Sequence, residues 1–69
     1  DTGIPCEVVM PDALLAKGIA EDTCEKLRPN EIVQFERFGF ARIDRPGKKL
    51  TAYFTIDSGA GGITLLFYQ

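Results

Sequence analysis

Two side chains in this sequence are equipped to read another molecule. Gln34 and Arg37 lie three positions apart in the run Gln34-Phe35-Glu36-Arg37-Phe38-Gly39-Phe40, interleaved with aromatic rings. An amide offers a donor and an acceptor together, and a guanidinium offers a rigid fork of donors. These groups suit base edges, and stacking combined with edge hydrogen bonds is how unpaired RNA bases are recognised. A plain strand with polar residues facing out and Phe facing in explains the same pattern equally well. Arg42, Arg45, Lys48 and Lys49 follow closely. They are second-tier candidates for phosphate contacts, which position a nucleic acid without specifying it.

Other chemistry finds little support. The chain has no His, which removes Ser-His-Asp and Cys-His nucleophile systems and His-containing zinc sites. Cys6 and Cys24 are too few for a four-cysteine metal site or a disulfide framework. One disulfide between them is geometrically possible, but buried or idle thiols are the expectation. Glu21, Asp22 and Glu25 fall in a polar stretch with nothing to desolvate them and read as solvated charges. The glycine-rich Ser58–Gly62 segment is followed by strand-forming residues, whereas a phosphate loop must lead into a helix. It reads as a linker. No active site, metal or cofactor is therefore expected in this chain.

Sixty-nine residues allow one small domain. A composition 45% hydrophobic and 26% charged is that of a folded chain rather than a disordered one. No apolar run approaches the ~20 residues of a membrane-spanning helix, and no basic-then-apolar leader opens the chain. A soluble, cytoplasmic protein without a membrane partner is the expectation. The opening Asp1-Thr2-Gly3, without Met, points to a processed chain or a piece of a longer protein. The net charge of −2 is unevenly spread: residues 1–25 carry −5, residues 26–49 carry +4, and Asp57 alone is charged thereafter. An acidic chain is a poor non-specific nucleic-acid binder, yet its basic central third offers phosphates a local landing site.

The elements that must position these residues are strands. Ile4–Met10 reads as a strand ended by Pro11-Asp12. Ala13–Lys17 is a short apolar segment, helix or strand, broken by Gly18. Ala20–Arg28 reads as a loop with at most one helical turn, since it is too short and polar to stand as a helix. Glu31–Asp44 reads as one long strand, with Val33, Phe35 and Arg37 on one face and Ile32, Gln34, Glu36 and Phe38 on the other. Gly39 reads as a bulge that lets Phe38 and Phe40 share a face. Arg45–Lys49 is a turn, pairing Phe38–Asp44 with Leu50–Ile56 in an antiparallel hairpin. Asp57–Gly62 connects to a last strand, Ile63–Gln69. The fold class is all-β: a small antiparallel barrel or open sheet of five to six short strands.

The run Ile32–Asp44, centred on Gln34-Phe35-Glu36-Arg37-Phe38-Gly39-Phe40, resembles a segment near the C-terminus of archaeal-type glutamyl-tRNA synthetases, and glutaminyl-tRNA synthetases carry a similar one. Pro5–Asp12 resembles the family's "VEV" strand, Lys17–Glu21 its "KGLAE" element, and Leu27–Glu31 its "LKPGD" lead-in. Leu50–Thr55 resembles its closing strand. The resemblance spans roughly residues 4–55.

It implies a β-barrel segment over residues 1–56 that contacts the anticodon loop of a tRNA. Gln34 and Arg37 match the Gln-x-x-Arg pair that reads the middle anticodon uridine, a base shared by glutamate and glutamine tRNAs. A regular strand sends positions 34 and 37 to opposite faces. Their convergence therefore requires a bulge, a strong twist or an arginine reaching round an edge. The family's parent enzymes use ATP and Mg to activate the amino acid, but the histidine-bearing signature for that step is not in this chain. Residues 57–69 match no part of the family pattern and read as a linker with an extra strand. Two alternatives stand beside this reading. One is the same region of a glutaminyl enzyme. The other is a structural module without RNA activity, an engineered or fused segment, whose open sheet edges would support strand-mediated self-association.

Overall fold

A computed structural model describes residues 3–56 and 63–69. Its strands are β1 (Ile4–Val9), β2 (Leu15–Ala20), β3 (Ile32–Phe35), β4 (Gly39–Arg45), β5 (Leu50–Thr55), β6 (Thr64–Leu65) and β7 (Phe67–Tyr68). One 3-10 turn, Asp22–Lys26, is the helical element among the described residues, as the sequence led us to expect. The all-β expectation holds, with seven strands rather than five or six, because the stretch 31–44 divides into two strands and the last strand is interrupted at Leu66.

The sheet runs β6-β3-β4-β5-β1-β2-β7. Its two ends belong to consecutive stretches of the chain, so the sheet curls into a nearly closed barrel. The closing segment lies parallel to β3, with Gln34 opposite Thr64 and Phe35 opposite Leu65. It then lies antiparallel to β2, with Ile19 opposite Tyr68 and Ala20 opposite Phe67. Backbone N–H groups of Gln34, Glu36 and Glu21 donate to the carbonyls of Ile63, Leu65 and Leu66 at 2.8, 2.9 and 3.0 Å. At the interruption, the Leu66 N–H donates to the Glu21 carboxylate at 2.9 Å. Glu21 thus holds both backbone groups of Leu66. Closure satisfies strand edges that would otherwise be templates for pairing with another chain.

The core follows the period of two. Ile4, Cys6 and Val8 face inward from β1, Val33 and Phe35 from β3, Ala41 and Ile43 from β4, and Leu50 and Ala52 from β5. No polar or charged residue is buried among the described residues. β2 turns its small residues Ala16 and Ala20 inward. Gly18 lies inside β2 and does not end it. It lacks a side chain because the closing strand crosses over it: a Cβ there would collide with the Tyr68 carbonyl oxygen and approach the Phe67 ring to 2.9 Å. Small inward residues carry little strand signal, which is why this segment is ambiguous in sequence.

The stretch 31–44 is not one long strand. The chain reverses over Glu36–Phe38, closing β3 and β4 into an antiparallel hairpin in which Phe35 pairs with Gly39. The Phe38 N–H donates to the Phe35 carbonyl at 2.9 Å. Gly39 follows this turn at φ 136°, and a Cβ there would meet the Phe54 ring at 2.9 Å. Phe38 packs against the core, while Phe40 stands opposite Gln34, so the two do not share a face. The run hides its turn because Phe38 is a strand former by type but a turn residue by position. The β4–β5 hairpin forms as expected, with Phe40 opposite Thr55 and an irregularity between Ile43 and Arg45. The expected connector Asp57–Gly62 lies outside the described residues.

Candidate nucleic-acid interface

The β3–β4 hairpin positions the two readers. Gln34 points outward from β3, because its neighbours Val33 and Phe35 are fully buried. It stands between Phe40 of β4 and Thr64 of β6. Its amide oxygen accepts a hydrogen bond from the Thr64 hydroxyl at 3.3 Å, which holds the side chain against the barrel wall. Arg37 lies in the hairpin turn at φ 62°, the sign expected of the third residue of a type II turn. Few residues other than Gly, Asn and Asp adopt that conformation without cost. The chain leaves the strand after Phe35, so Arg37 does not obey strand alternation. Its side chain is exposed and makes no hydrogen bond or ion pair to another described residue.

A cleft of about 340 Å³ opens beside this turn, lined by Glu36, Arg37 and Phe38 on one side and Leu66 to Gln69 on the other. A second, wider depression of about 630 Å³ lies at the start of β3 and includes Lys26, Arg28, Asn30 and Ile63. Lys26 and Arg28 were not among the residues singled out by sequence, since the stretch before Pro29 carried no binding pattern of its own.

The second-tier basic residues are not gathered around Gln34 and Arg37. Arg45, Lys48 and Lys49 are exposed at the far end of β4, about 20 Å from the Arg37 turn at 3.4 Å per residue. Gly47 at φ 122° makes the turn that carries the two lysines. Arg42 is half-buried and already engaged. It donates to the Asn30 side-chain oxygen at 3.2 Å and lies 5.3 Å from the centre of the Tyr53 ring, a cation–π distance.

Chemistry by the cysteines is disfavoured. Both are free and buried. Burial pushes the Cys6 thiol up to about 12 and the Cys24 thiol up to about 11, with the nearby Cys24 and Glu21 groups adding to each in turn. A thiol that stays protonated is neither a nucleophile nor a metal ligand. No group of three or more metal-ligating side chains occurs among the described residues. No helix there is long and apolar enough to cross a membrane.

An exposed amide, and a guanidinium with no partner among the described residues, stand on one hairpin, and an aromatic-lined cleft opens beside the arginine. Comparison with known proteins agrees in class. Residues 2–44 match the family described as tRNA synthetases class I (E and Q), anti-codon binding domain, and the chain belongs to that family. It is 50% identical over 56 residues to the glutamate–tRNA ligase of Pyrococcus horikoshii, an alignment covering 75% of this chain and 10% of the ligase. Against the glutamate–tRNA ligase of Methanothermobacter marburgensis it is 41% identical over 54 residues, or 78% of this chain and 10% of the ligase. The chain therefore spans about a tenth of the length of the curated relatives it matches.

Proposed function

We propose that this chain is the part of a glutamate–tRNA ligase that reads the tRNA anticodon loop, with Gln34 and Arg37 contacting the middle uridine. The observation that carries the reading is the β3–β4 hairpin, whose turn lies inside the family-matched residues and which presents both side chains to solvent. Gln34 meets the imide edge of uracil with its donor and acceptor, and Arg37 donates to a carbonyl or an adjacent phosphate. Arg45, Lys48 and Lys49, farther along the barrel, contact phosphates of neighbouring nucleotides. Within a longer enzyme the domain acts by discrimination: contacts remote from the chemistry give the correct tRNA productive affinity. Activation of glutamate with ATP and Mg belongs to the remainder of that enzyme, and the cytoplasm is where it works.

The test is a titration of the 69-residue chain with an anticodon stem-loop bearing the glutamate anticodon, and with one whose middle uridine is replaced, at low and near-physiological salt. A preference for uridine that survives salt is expected. Gln34→Ala and Arg37→Ala should each remove about 1–3 kcal/mol of it, whereas Lys48→Ala should weaken both RNAs alike. Equal losses on the two RNAs in the Gln34 variant would refute the assignment of that side chain.

A further inference from the structure

In the proposed reading Gln34 and Arg37 meet base edges, and neither covers the face of a base. The aromatic rings of the matched hairpin are poorly placed to cover it, because Phe35 is buried and Phe38 and Phe40 are half-buried. The closing strand fills this gap. It runs along the cleft beside the Arg37 turn, and its Tyr68 is 63% exposed while the preceding Phe67 points into the core. The strand is held firmly enough to present a ring. Phe67 packs 5.0 Å from both Phe35 and Phe38, and Leu65 is buried.

The cleft's chemistry favours a base over a bare phosphate. Glu36 stands in it next to Arg37, so an anion meets repulsion as well as attraction, whereas a base edge carries donors for the carboxylate and acceptors for the guanidinium. Its volume, about 340 Å³, is at the small end of ligand pockets and suits a single base rather than a helix.

We propose that Tyr68 is a stacking platform of the RNA site, taking the face of an unpaired anticodon-loop base at the cleft beside Arg37, so that the closing strand forms one wall of the binding surface. The proposal rests on the anticodon reading and adds a residue outside the family-matched range.

The chain has only two tyrosines, Tyr53 and Tyr68, so their ring protons are readily distinguished by NMR. On adding the glutamate anticodon stem-loop to the full chain, the Tyr68 ring signals should move upfield through the ring current of a stacked base. Tyr68→Ala should weaken binding about 5- to 150-fold, the span measured for one base–aromatic stack. Tyr68→Phe should bind like the parent chain. Tyr68→Leu, which keeps apolar bulk at the strand end without a ring, should fall with the alanine variant. Unmoved Tyr68 signals, with Tyr68→Ala or Tyr68→Leu binding within twofold of the parent, would overturn the platform and leave the anticodon reading intact. Failure of the parent chain to bind any stem-loop would instead bring down the anticodon reading, and the platform with it.

Discussion

Phe67 and Leu65 carry the closing strand into the core, and removal of the larger Phe67 ring should open the barrel at one place. The ring is 8% exposed and touches both Phe35 and Phe38. Truncating a buried Phe to Ala costs about 3–5 kcal/mol. A 69-residue chain has a total stability of about 3–10 kcal/mol, so this loss is comparable to the whole. The closing strand has a cheaper response than global unfolding, because it is paired through only two residues on each side. It should detach while the five remaining strands stay folded, which holds the effect to the lower end of the range. Three amides report that detachment directly: those of Gln34, Glu36 and Glu21, whose acceptors are all carbonyls of the closing strand. In Phe67→Ala a loss of about 3 kcal/mol corresponds to about 150-fold faster hydrogen exchange at these positions. Amides of β5, which lies between β1 and β4, should change far less. Gly18→Ala attacks the same docking from the opposite side and should accelerate the same three amides. Continued protection of the three, or acceleration only in step with β5, would refute local detachment.

Other expectations concern the turn and the thiols. Arg37→Gly places at φ 62° the residue that adopts it freely, so the relief of strain offsets the added freedom of the unfolded chain. Its melting temperature should equal or exceed that of the parent while uridine preference is lost; a fall of more than about 5 °C would show that the arginine is held there for stability. Burial keeps both thiols protonated in the folded chain, with Cys6 at about 12 and Cys24 at about 11 against an ordinary 9.0. The folded chain therefore retains protons that the unfolded chain releases. The stability this gives is complete below pH 9 and is lost as pH rises towards 12, with a slope of up to about 1.4 kcal/mol per pH unit for each thiol. Urea midpoints measured from pH 8 to 10.5 should fall more steeply for the parent than for a Cys6→Ala, Cys24→Ala double variant, and parallel curves would contradict the burial argument.

What could be read from the sequence depended on how far apart the interacting residues lie. β1, the β4–β5 hairpin and the single helical turn are local events, announced by Pro11-Asp12, by Arg45–Lys49 and by polar content. The alternation that exposes Gln34 and buries Val33 and Phe35 was legible too. The β3–β4 turn was not, because no proline, asparagine or aspartate marks Glu36–Phe38 and the core claims the Phe38 ring. Without that turn, Gln34 and Arg37 stay on opposite faces. Closure of the barrel was still less accessible. The pairing of Gln34 with Thr64 spans 30 residues, and parallel pairing leaves no hairpin signal between its strands. Glu21 reads as one solvated acid among three until Leu66 reaches it. Gly18 reads as a strand breaker until the Tyr68 carbonyl is seen crossing it. Gly18 and β3 both lie within the family-matched residues, and the slot between β2 and β3 is built from them alone. The closing strand lies outside the matched residues, but it occupies a site that the matched region already defines.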